Sequence, residues 1–321
     1  MGILWDCCDF EPCILPSNNT PLGALPARFR RTRILVVGCG DVGLRVLRNR
    51  SPHIQWLALT SQRDRVTELR EAGAVPLVGN LDQPATLNRL SGLAQRVLHL
   101  APPPTQGRTD PRTQALALAL GRRSAPQQWV YASTTGVYGD CAGAWVAETR
   151  PLAAQTERAL RRVDAESTVR FWGRQHLGGS RVSILRVPGI YAPDRVGGTP
   201  RERLLRGTPV LQASDDVYTN HIHADDLARA CWLALWRARA QRVYNLSDDS
   251  CLKMADYYDL AADLYGLPRP VRITREEANM KMAPMLLSFM SESRRLLNWR
   301  MKQELRLRLG HAQVIEGLKG E

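Results

Sequence analysis

The chain has 321 residues, 44% of them hydrophobic, and a formal net charge of +13. It is long enough for one large α/β domain with a smaller lobe. It has no run of eighteen apolar residues, and acidic residues interrupt its N-terminus, which excludes a membrane-spanning helix and a secretory signal and predicts a cytoplasmic protein. Only four of the 44 basic residues are lysines, and the arginines are scattered without a basic block, so the charge does not predict a nucleic-acid partner.

Residues 1–32 contain four prolines and no hydrophobic periodicity, which predicts a disordered leader. From Arg33 onwards, short apolar runs alternate with helical patterns. The predicted strands are residues 34–37, 56–59, 75–78, 96–100, 129–133, 182–187 and 242–246. The predicted helices are residues 41–50, 65–72, 84–90, 112–122, 156–172, 199–206, 225–239, 254–265 and 291–308. Strands that are apolar throughout, separated by helices, are typical of a parallel sheet covered on both faces.

A glycine motif follows the first predicted strand. The run VVGCGDVG places Gly38, Gly40 and Gly43 in G-x-G-x-x-G spacing at the start of a helix. Gly38 permits a tight turn, Gly40 lets the backbone approach a pyrophosphate, and Gly43 allows the helix to pack close to the strand. The helix N-terminus adds N–H groups that favour phosphates. This context predicts dinucleotide binding, although an empty structural turn would have the same glycines.

These features predict an α/β protein with a Rossmann fold, that is, a doubly wound parallel sheet, and a smaller C-terminal substrate lobe. The predicted dinucleotide-binding domain is 33–190, with 224–248 returning to its sheet. The lobe is then formed by 191–223 and 249–321.

The end of the second strand bears on the choice of cofactor. NAD-selective sites place Asp or Glu there to bind the ribose 2′-hydroxyl. Here Thr60, Ser61 and Arg63 stand at that end, and no carboxylate precedes Asp64. Small hydroxyls and an arginine suit a 2′-phosphate, so the sequence favours NADP, with NAD as the alternative; an ordinary solvated turn remains open.

Further motifs follow in order: YASTTGVYGD at 131–140, LRVPGIYAPDR at 185–195, LLRGTPVL at 204–211, TNHIHADDLARA at 219–230 and VYNLSDD at 243–249. Together with the glycine loop they resemble the extended short-chain dehydrogenase/reductase superfamily, in its NAD-dependent epimerase/dehydratase group, over residues 33–318. GVYGD, TNHIHADDLA and LLSFMSESRRLLN are similar to its atypical YeeZ-like bacterial branch. The resemblance implies a small polar, sugar-nucleotide-like substrate between the sheet edge and the lobe, and it is compatible with a homodimer.

In this superfamily a Ser or Thr four residues before the Tyr of the V-Y-G motif hydrogen-bonds the reacting oxygen. Counting back from Tyr138 gives Thr134, with Ser133 beside it. The resemblance implies cofactor contacts at Asp41, Val42, Leu81, Ala101, Pro102, Val187 and Pro188. It implies substrate contacts at Tyr138, Tyr191, Asn220 and His221.

The superfamily also has a helical Tyr-x-x-x-Lys pair, in which the Tyr is the general acid/base and the Lys lowers its pKa and holds the ribose. When the flanking Pro and Glu are aligned, Arg158 takes the Tyr position and Arg162 the Lys position. The chain has no Tyr between Tyr138 and Tyr191 and no Lys before Lys253. Arg162 could hold the ribose or a phosphate, and Arg158 an anionic substrate group, or both could lie on a solvated helix face.

The seven cysteines include no C-x-x-C pair, which predicts free thiols and no metal site. Three functions stay open. The chain is an NADP-binding oxidoreductase or epimerase-like enzyme, a dinucleotide-binding sensor or scaffold without hydride transfer, or a nucleic-acid-associated protein. In the enzyme, Tyr191, Tyr218, a His or a bound water would transfer the proton, because an arginine stays protonated near neutral pH.

Overall fold

The computed structural model describes residues 31–48, 51–176, 179–282, 287 and 290–319, so most of the predicted leader lies outside the described residues. The strands are β1 (Thr32–Val37), β2 (Ile54–Thr60), β3 (Ala74–Val78), β4 (Arg96–His99), β5 (Gln128–Thr134), β6 (Trp145–Val146), β7 (Arg181–Val187), β8 (Gly189–Tyr191), β9 (Val210–Leu211), β10 (Tyr218–Thr219), β11 (His221–His223), β12 (Arg242–Asn245), β13 (Leu252–Lys253), β14 (Arg272–Ile273) and β15 (Arg295–Leu296).

The helices are α1 (Asp41–Leu47), α2 (Val66–Glu71), α3 (Pro111–Gly121), α4 (Glu157–Gln175), α5 (Arg201–Leu205), α6 (Ala224–Arg237), α7 (Met254–Tyr265), α8 (Arg275–Lys281), α9 (Trp299–Glu304) and α10 (Val314–Leu318). Pro84–Leu90, predicted as an α-helix, is a 3₁₀-helix, and Thr135–Tyr138 is another.

Seven strands form one parallel sheet in the order β3-β2-β1-β4-β5-β7-β12. The chain runs outward from β1 to β3 and then returns to place β4 on the other side of β1. The strand order therefore reverses between β1 and β4, where ligands bind in open α/β sheets. The predicted Rossmann fold class is confirmed.

Both faces of this sheet are covered. On β1, Ile34 and Val36 belong to one buried apolar cluster, which includes Leu227 on α6. Their neighbours Leu35 and Val37 belong to the cluster on the opposite face. Side chains alternate between the two faces of a strand, so burial on both faces requires an apolar residue at every position. This explains why the strands show no alternation in the sequence.

The C-terminal lobe has its own apolar cluster, in which Tyr191 and Leu204 pack with Tyr258 of α7 and Val314 of α10. Short strand pairs connect it to the main body. One of them, β11 with β8, places His221 opposite Gly189 and His223 opposite Tyr191.

The predicted helix over residues 291–308 is wrong. Residues 295–296 instead form β15, parallel to β6, and only Trp299–Glu304 is helical in that region. The preceding backbone is hydrogen-bonded to the loop after β5: Cys141 N donates to the Ser293 carbonyl and Arg295 N to the Ala144 carbonyl, both at 3.0 Å. These long-range hydrogen bonds outweigh the local helix propensity.

Candidate functional site

The three motif glycines have the geometry that a dinucleotide loop needs. Gly38 has φ +82°, and a Cβ there would lie 2.4 Å from Ala101 N in the loop after β4. A Cβ on Gly40 would meet nothing within 4 Å. A Cβ on Gly43 would lie 3.0 Å from the Cys39 Sγ, so α1 packs tightly on its strand. The loop is tightly packed at Gly38 and Gly43 and has open space at Gly40. This arrangement fits a pyrophosphate that lies against the backbone at Gly40.

Asp41, the first residue of α1, links this loop to the chain after β8. Its carboxylate accepts hydrogen bonds from Arg45 Nε at 2.9 Å and from Arg195 Nη1 at 3.0 Å. Arg45 is buried and also donates to Asp194 at 2.5 Å and to Asp225 at 2.6 Å. The Asp41 side chain is therefore committed to protein partners, which leaves its backbone for any cofactor contact.

At the end of β2 the predicted cofactor residues differ in their availability. Thr60 is buried, and its hydroxyl accepts a hydrogen bond from Gln62 N at 3.1 Å. Ser61 and Arg63 are exposed. In the described part of the chain no carboxylate lies within salt-bridge distance of Arg63, whereas Arg65 pairs with Glu68 at 2.8 Å. The guanidinium N–H groups of Arg63 are therefore available to a ligand at this edge, whereas Arg65 is already paired.

A cavity of about 620 Å³ lies at the carboxyl ends of β4, β5 and β7, against the C-terminal lobe. Most of the predicted catalytic and substrate residues line it, together with two predicted cofactor residues: Thr134, Arg158, Arg162, Tyr191, Asn220, His221, Pro102 and Pro188. Val42, Leu81, Ala101 and Val187 do not line it; they pack in or against the two apolar clusters of the sheet.

Thr134 and Arg162 lie at the β5 edge of the cavity. The Thr134 Oγ1 accepts from Gly136 N at 3.4 Å and caps the following 3₁₀-helix. Arg162 Nη1 donates to the Tyr131 hydroxyl at 3.0 Å and to the Ala132 carbonyl at 2.8 Å. One nitrogen therefore fixes the guanidinium, and the others donate to no atom of the described residues. This arrangement holds a positive charge beside Thr134.

Two of the predicted catalytic and substrate residues do not line the cavity. Tyr138 is buried, its hydroxyl donates to Asn245 Oδ1 at 2.6 Å, and the Arg186 guanidinium lies 4.7 Å from its ring centre. The 3₁₀-helix after β5 directs this side chain into the core, so Tyr138 is not among the residues that line the cavity, and its substrate contact stays a prediction. Ser133 is buried and outside the cavity lining, because alternation along β5 places it on the face opposite to Thr134.

The cavity is strongly basic. Five arginines line it, namely Arg158, Arg161, Arg162, Arg203 and Arg294. Among the described lining residues the only carboxylate is Glu292. An excess of one sign of charge in a cleft with low-dielectric walls concentrates ligands of the opposite sign. The geometry therefore favours an anionic ligand.

Sequence reasoning missed Arg203, Glu292 and Arg294 as lining residues. Arg294 Nη2 donates to Glu292 Oε2 at 2.8 Å, and Arg294 Nη1 donates to the Gly139 carbonyl at 2.6 Å. The motif LLSFMSESRRLLN was visible in the sequence, but the placement of its Ser293 against the loop after β5 depends on hydrogen bonds between residues about half the chain length apart.

Asn220 and His221 come from the TNHIHADD motif. Asn220 Nδ2 donates to the Arg294 carbonyl, and its Oδ1 accepts from Leu296 N, both at 2.9 Å. The Asn220 side-chain amide therefore anchors the backbone of residues 294–296 beside the cavity. Burial lowers the pKa of His221 to about 4 and raises the pKa of Tyr191, so both side chains are neutral near pH 7.

None of the helices among the described residues is long and apolar enough to cross a membrane. Within the same residues no cluster of three or more His, Cys, Asp or Glu side chains has an arrangement that could hold a metal ion.

The model of the NAD dependent epimerase/dehydratase family matches residues 40–247. Among solved structures, a functionally unknown conserved protein from Silicibacter pomeroyi DSS is 29% identical, with a TM-score of 0.73, over 90% of this chain and 97% of that one. UDP-glucose 4-epimerase from Thermotoga maritima, solved with UDP-glucose, is 18% identical, with a TM-score of 0.72, over 90% and 96% of the two chains.

UDP-glucuronic acid 4-epimerase from Bacillus cereus, solved with UDP-glucuronic acid and NAD, is 16% identical, with a TM-score of 0.72, over 90% of this chain and 98% of that one. At these identities the two epimerases show a shared fold. No protein with curated annotation matches the chain.

Proposed function

Since the chain belongs to the NAD dependent epimerase/dehydratase family, we propose that it uses NADP for oxidoreductase or epimerase-like chemistry on an anionic, sugar-nucleotide-like small molecule. The loop at Gly38, Gly40 and Gly43 would hold the diphosphate, and Arg63 the 2′-phosphate. When bound, the nicotinamide would accept or return a hydride. The substrate would occupy the basic cavity beside Thr134.

The observation that carries this proposal is the charge of the cavity. Among the described residues, five arginines and one carboxylate line this cavity, which lies between the carboxyl edge of the sheet and the C-terminal lobe. Guanidinium groups bind carboxylates and phosphates through paired hydrogen bonds. A sugar nucleotide with a carboxylated sugar, of which UDP-glucuronic acid is one, offers both groups. The Bacillus cereus structure holds that compound in a protein of the same fold, which supports the choice as a probe.

A substrate panel tests this function. We expect measurable turnover with UDP-glucuronic acid and little or none with UDP-glucose, whose sugar carries no charge, because Arg158 stands where the resemblance places the family's proton-donating Tyr and selects a negative group on the sugar instead. Thr134→Ala should lower kcat/KM by about 10²-fold, the typical cost of removing one donor to the reacting oxygen.

NADPH absorbance, which reports net oxidation or reduction, and chromatographic separation of sugar-nucleotide epimers, which reports epimerisation, would be followed for wild type, Thr134→Ala and Arg158→Tyr. The matched control is Thr149→Ala, an exposed threonine outside this cavity, which should behave like wild type. Brisk turnover of UDP-glucose that Thr134→Ala leaves unchanged would contradict both the anionic substrate and the role of Thr134.

The cofactor preference gives a separate prediction. NADPH should bind more tightly than NADH, and Arg63→Ala should remove about 1.5–3 kcal/mol of that preference, which is roughly tenfold or more in relative Kd. Arg70→Ala is the control, because Arg70 is an exposed arginine of α2, the helix that follows Arg63. Calorimetry that finds equal Kd values for the two cofactors in wild type would refute the NADP assignment.

The second candidate is a dinucleotide-binding sensor or scaffold. This candidate is favoured by two residues of α4. Arg158 and Arg162 stand at the positions where the resemblance predicts the Tyr and Lys of hydride-transferring relatives. Tight NADPH binding with no turnover of any anionic substrate would select this alternative.

A further inference from the structure

The 291–297 segment, which contains SESRRLL, forms one wall of the cavity. The Ser293 carbonyl accepts hydrogen bonds from Cys141 N and Gly143 N, both at 3.0 Å, and the Ser293 Oγ accepts from Tyr218 N at 3.0 Å. Ser293 N donates to Asp140 Oδ1 at 2.8 Å. The segment is thus fixed both to the loop after β5 and to the strand that enters the TNHIHADD motif. A side chain on this segment has a defined position relative to the end of β5.

Glu292 is the acidic side chain that this wall directs to the cavity. Its side chain is 12% exposed, and Oε2 accepts a charge-assisted hydrogen bond from Arg294 Nη2 at 2.8 Å. Its Oε1 accepts no hydrogen bond from the described residues. Loss of solvent around Arg158 lowers the pKa of that guanidinium, and the Glu292 carboxylate opposes the shift. Glu292 and Arg158, the residue at the predicted position of the family's Tyr, line the same cavity.

We propose that Glu292 is the proton-transferring group of this cavity and that Arg294 and Arg158 hold its carboxylate in position. The inference rests on the proposed function, because hydride transfer to or from an alcohol requires a proton acceptor or donor. In the oxidative direction the substrate O–H bond breaks and its proton moves to Oε1 of Glu292. When bound, an oxidised nicotinamide cofactor would take the hydride from the same carbon as the C=O bond forms. In the reverse direction the protonated Glu292 returns the proton to the carbonyl oxygen.

Several other groups on the cavity wall are less suited to this step. The guanidinium groups remain protonated and cannot accept a proton. Burial moves the pKa of Tyr191 upward and that of His221 down to about 4, so neither readily changes protonation state near neutral pH. Glu292 lines the cavity, and its Oε1 accepts no hydrogen bond from any described residue.

The first test is Glu292→Gln, which keeps the shape of the side chain and removes its acid–base function. Turnover of UDP-glucuronic acid should fall by about 10²–10⁴-fold, the usual contribution of a positioned acid or base. NADPH affinity, measured by fluorescence titration, should stay within about twofold. The control is Glu202→Gln, an α5 carboxylate that is 69% exposed and lies outside the cavity lining. Arg294→Gln, a positioning variant, should move the acidic limb of the pH profile, a change that looser packing alone would not produce.

A second measurement does not depend on turnover. An anion placed beside a carboxylate disfavours its charged form, so binding of UDP-glucuronic acid in acidic buffer should be accompanied by proton uptake. Calorimetry in buffers of different ionisation enthalpy counts these protons. Wild type should take up a fraction of a proton that Glu292→Gln does not.

The outcomes separate the two proposals. If NADPH does not bind, the proposed function fails, and the proton count still decides whether Glu292 faces the ligand. Equal proton uptake in both proteins, no binding of UDP-glucuronic acid to wild type, or turnover that Glu292→Gln leaves within a few fold of wild type would each overturn the inference about Glu292.

Discussion

Replacing Gly38 with Ala is expected to destabilise the protein by about 2–6 kcal/mol. Gly38 has φ +82°, and an added Cβ would lie 2.4 Å from Ala101 N and 2.5 Å from Ala101 Cα. A side chain at positive φ costs about 1–3 kcal/mol, and forced overlap in a packed region costs a further 1–3 kcal/mol. The obstructing atoms belong to the backbone after β4 and cannot rotate away. Denaturant unfolding would show the loss as a lower midpoint.

Gly40→Ala is the matched variant, because it adds the same methyl group to the same loop. Gly40 has φ −86°, and its added Cβ would meet nothing within 4 Å, so stability should stay within about 0.5 kcal/mol of wild type. The methyl group would instead fill the space proposed for the pyrophosphate and weaken NADPH binding by about tenfold or more. Unfolding of Gly38→Ala at the wild-type midpoint would contradict the tight contact with Ala101. Normal NADPH affinity of Gly40→Ala would contradict the proposed pyrophosphate position.

Glu166→Gln should cost about 3–5 kcal/mol of stability, the second large effect that we expect. Glu166 on α4 and Arg186 on β7 are each 2% exposed and are joined by two hydrogen bonds, at 2.7 Å and 3.1 Å. Removing one partner of a buried ion pair leaves the other charge uncompensated in a low-dielectric interior. Because the pair ties α4 to the sheet, the same change should also disturb Arg158 and Arg162.

The control for this prediction is Glu68→Gln. Glu68 pairs with Arg65 at 2.8 Å, but its side chain is 48% exposed, and surface pairs contribute about 0–1 kcal/mol. Equal unfolding midpoints for Glu166→Gln and wild type would show that Arg186 finds another acceptor, the nearest being the Glu148 carbonyl at 3.4 Å.

Local patterns in the sequence determined the seven strands of the main sheet and most of the helices between them, in the order in which they occur. The predicted helix over residues 254–265 has the same bounds in the structure and ends at Gly266, whose φ of +62° is the left-handed conformation that closes helices. The apolar strands and the G-x-G-x-x-G spacing likewise predicted the parallel sheet and the loop after β1. These features depend on residues a few positions apart, so periodicity and turn chemistry are enough to read them.

The tertiary structure alone decided which side chains share the cavity. Glu292 shares the cavity with Arg158 because backbone hydrogen bonds attach the 291–297 segment to the loop after β5, and the same region forms β15 in place of the predicted helix. Tyr138 was predicted to contact substrate, yet its hydroxyl bonds to Asn245 in the core. Such partners are far apart in the chain, and their contact depends on the packing of whole elements. Periodicity shows which face of an element is apolar, but the spacing of residues along the chain carries no information about what that face will meet.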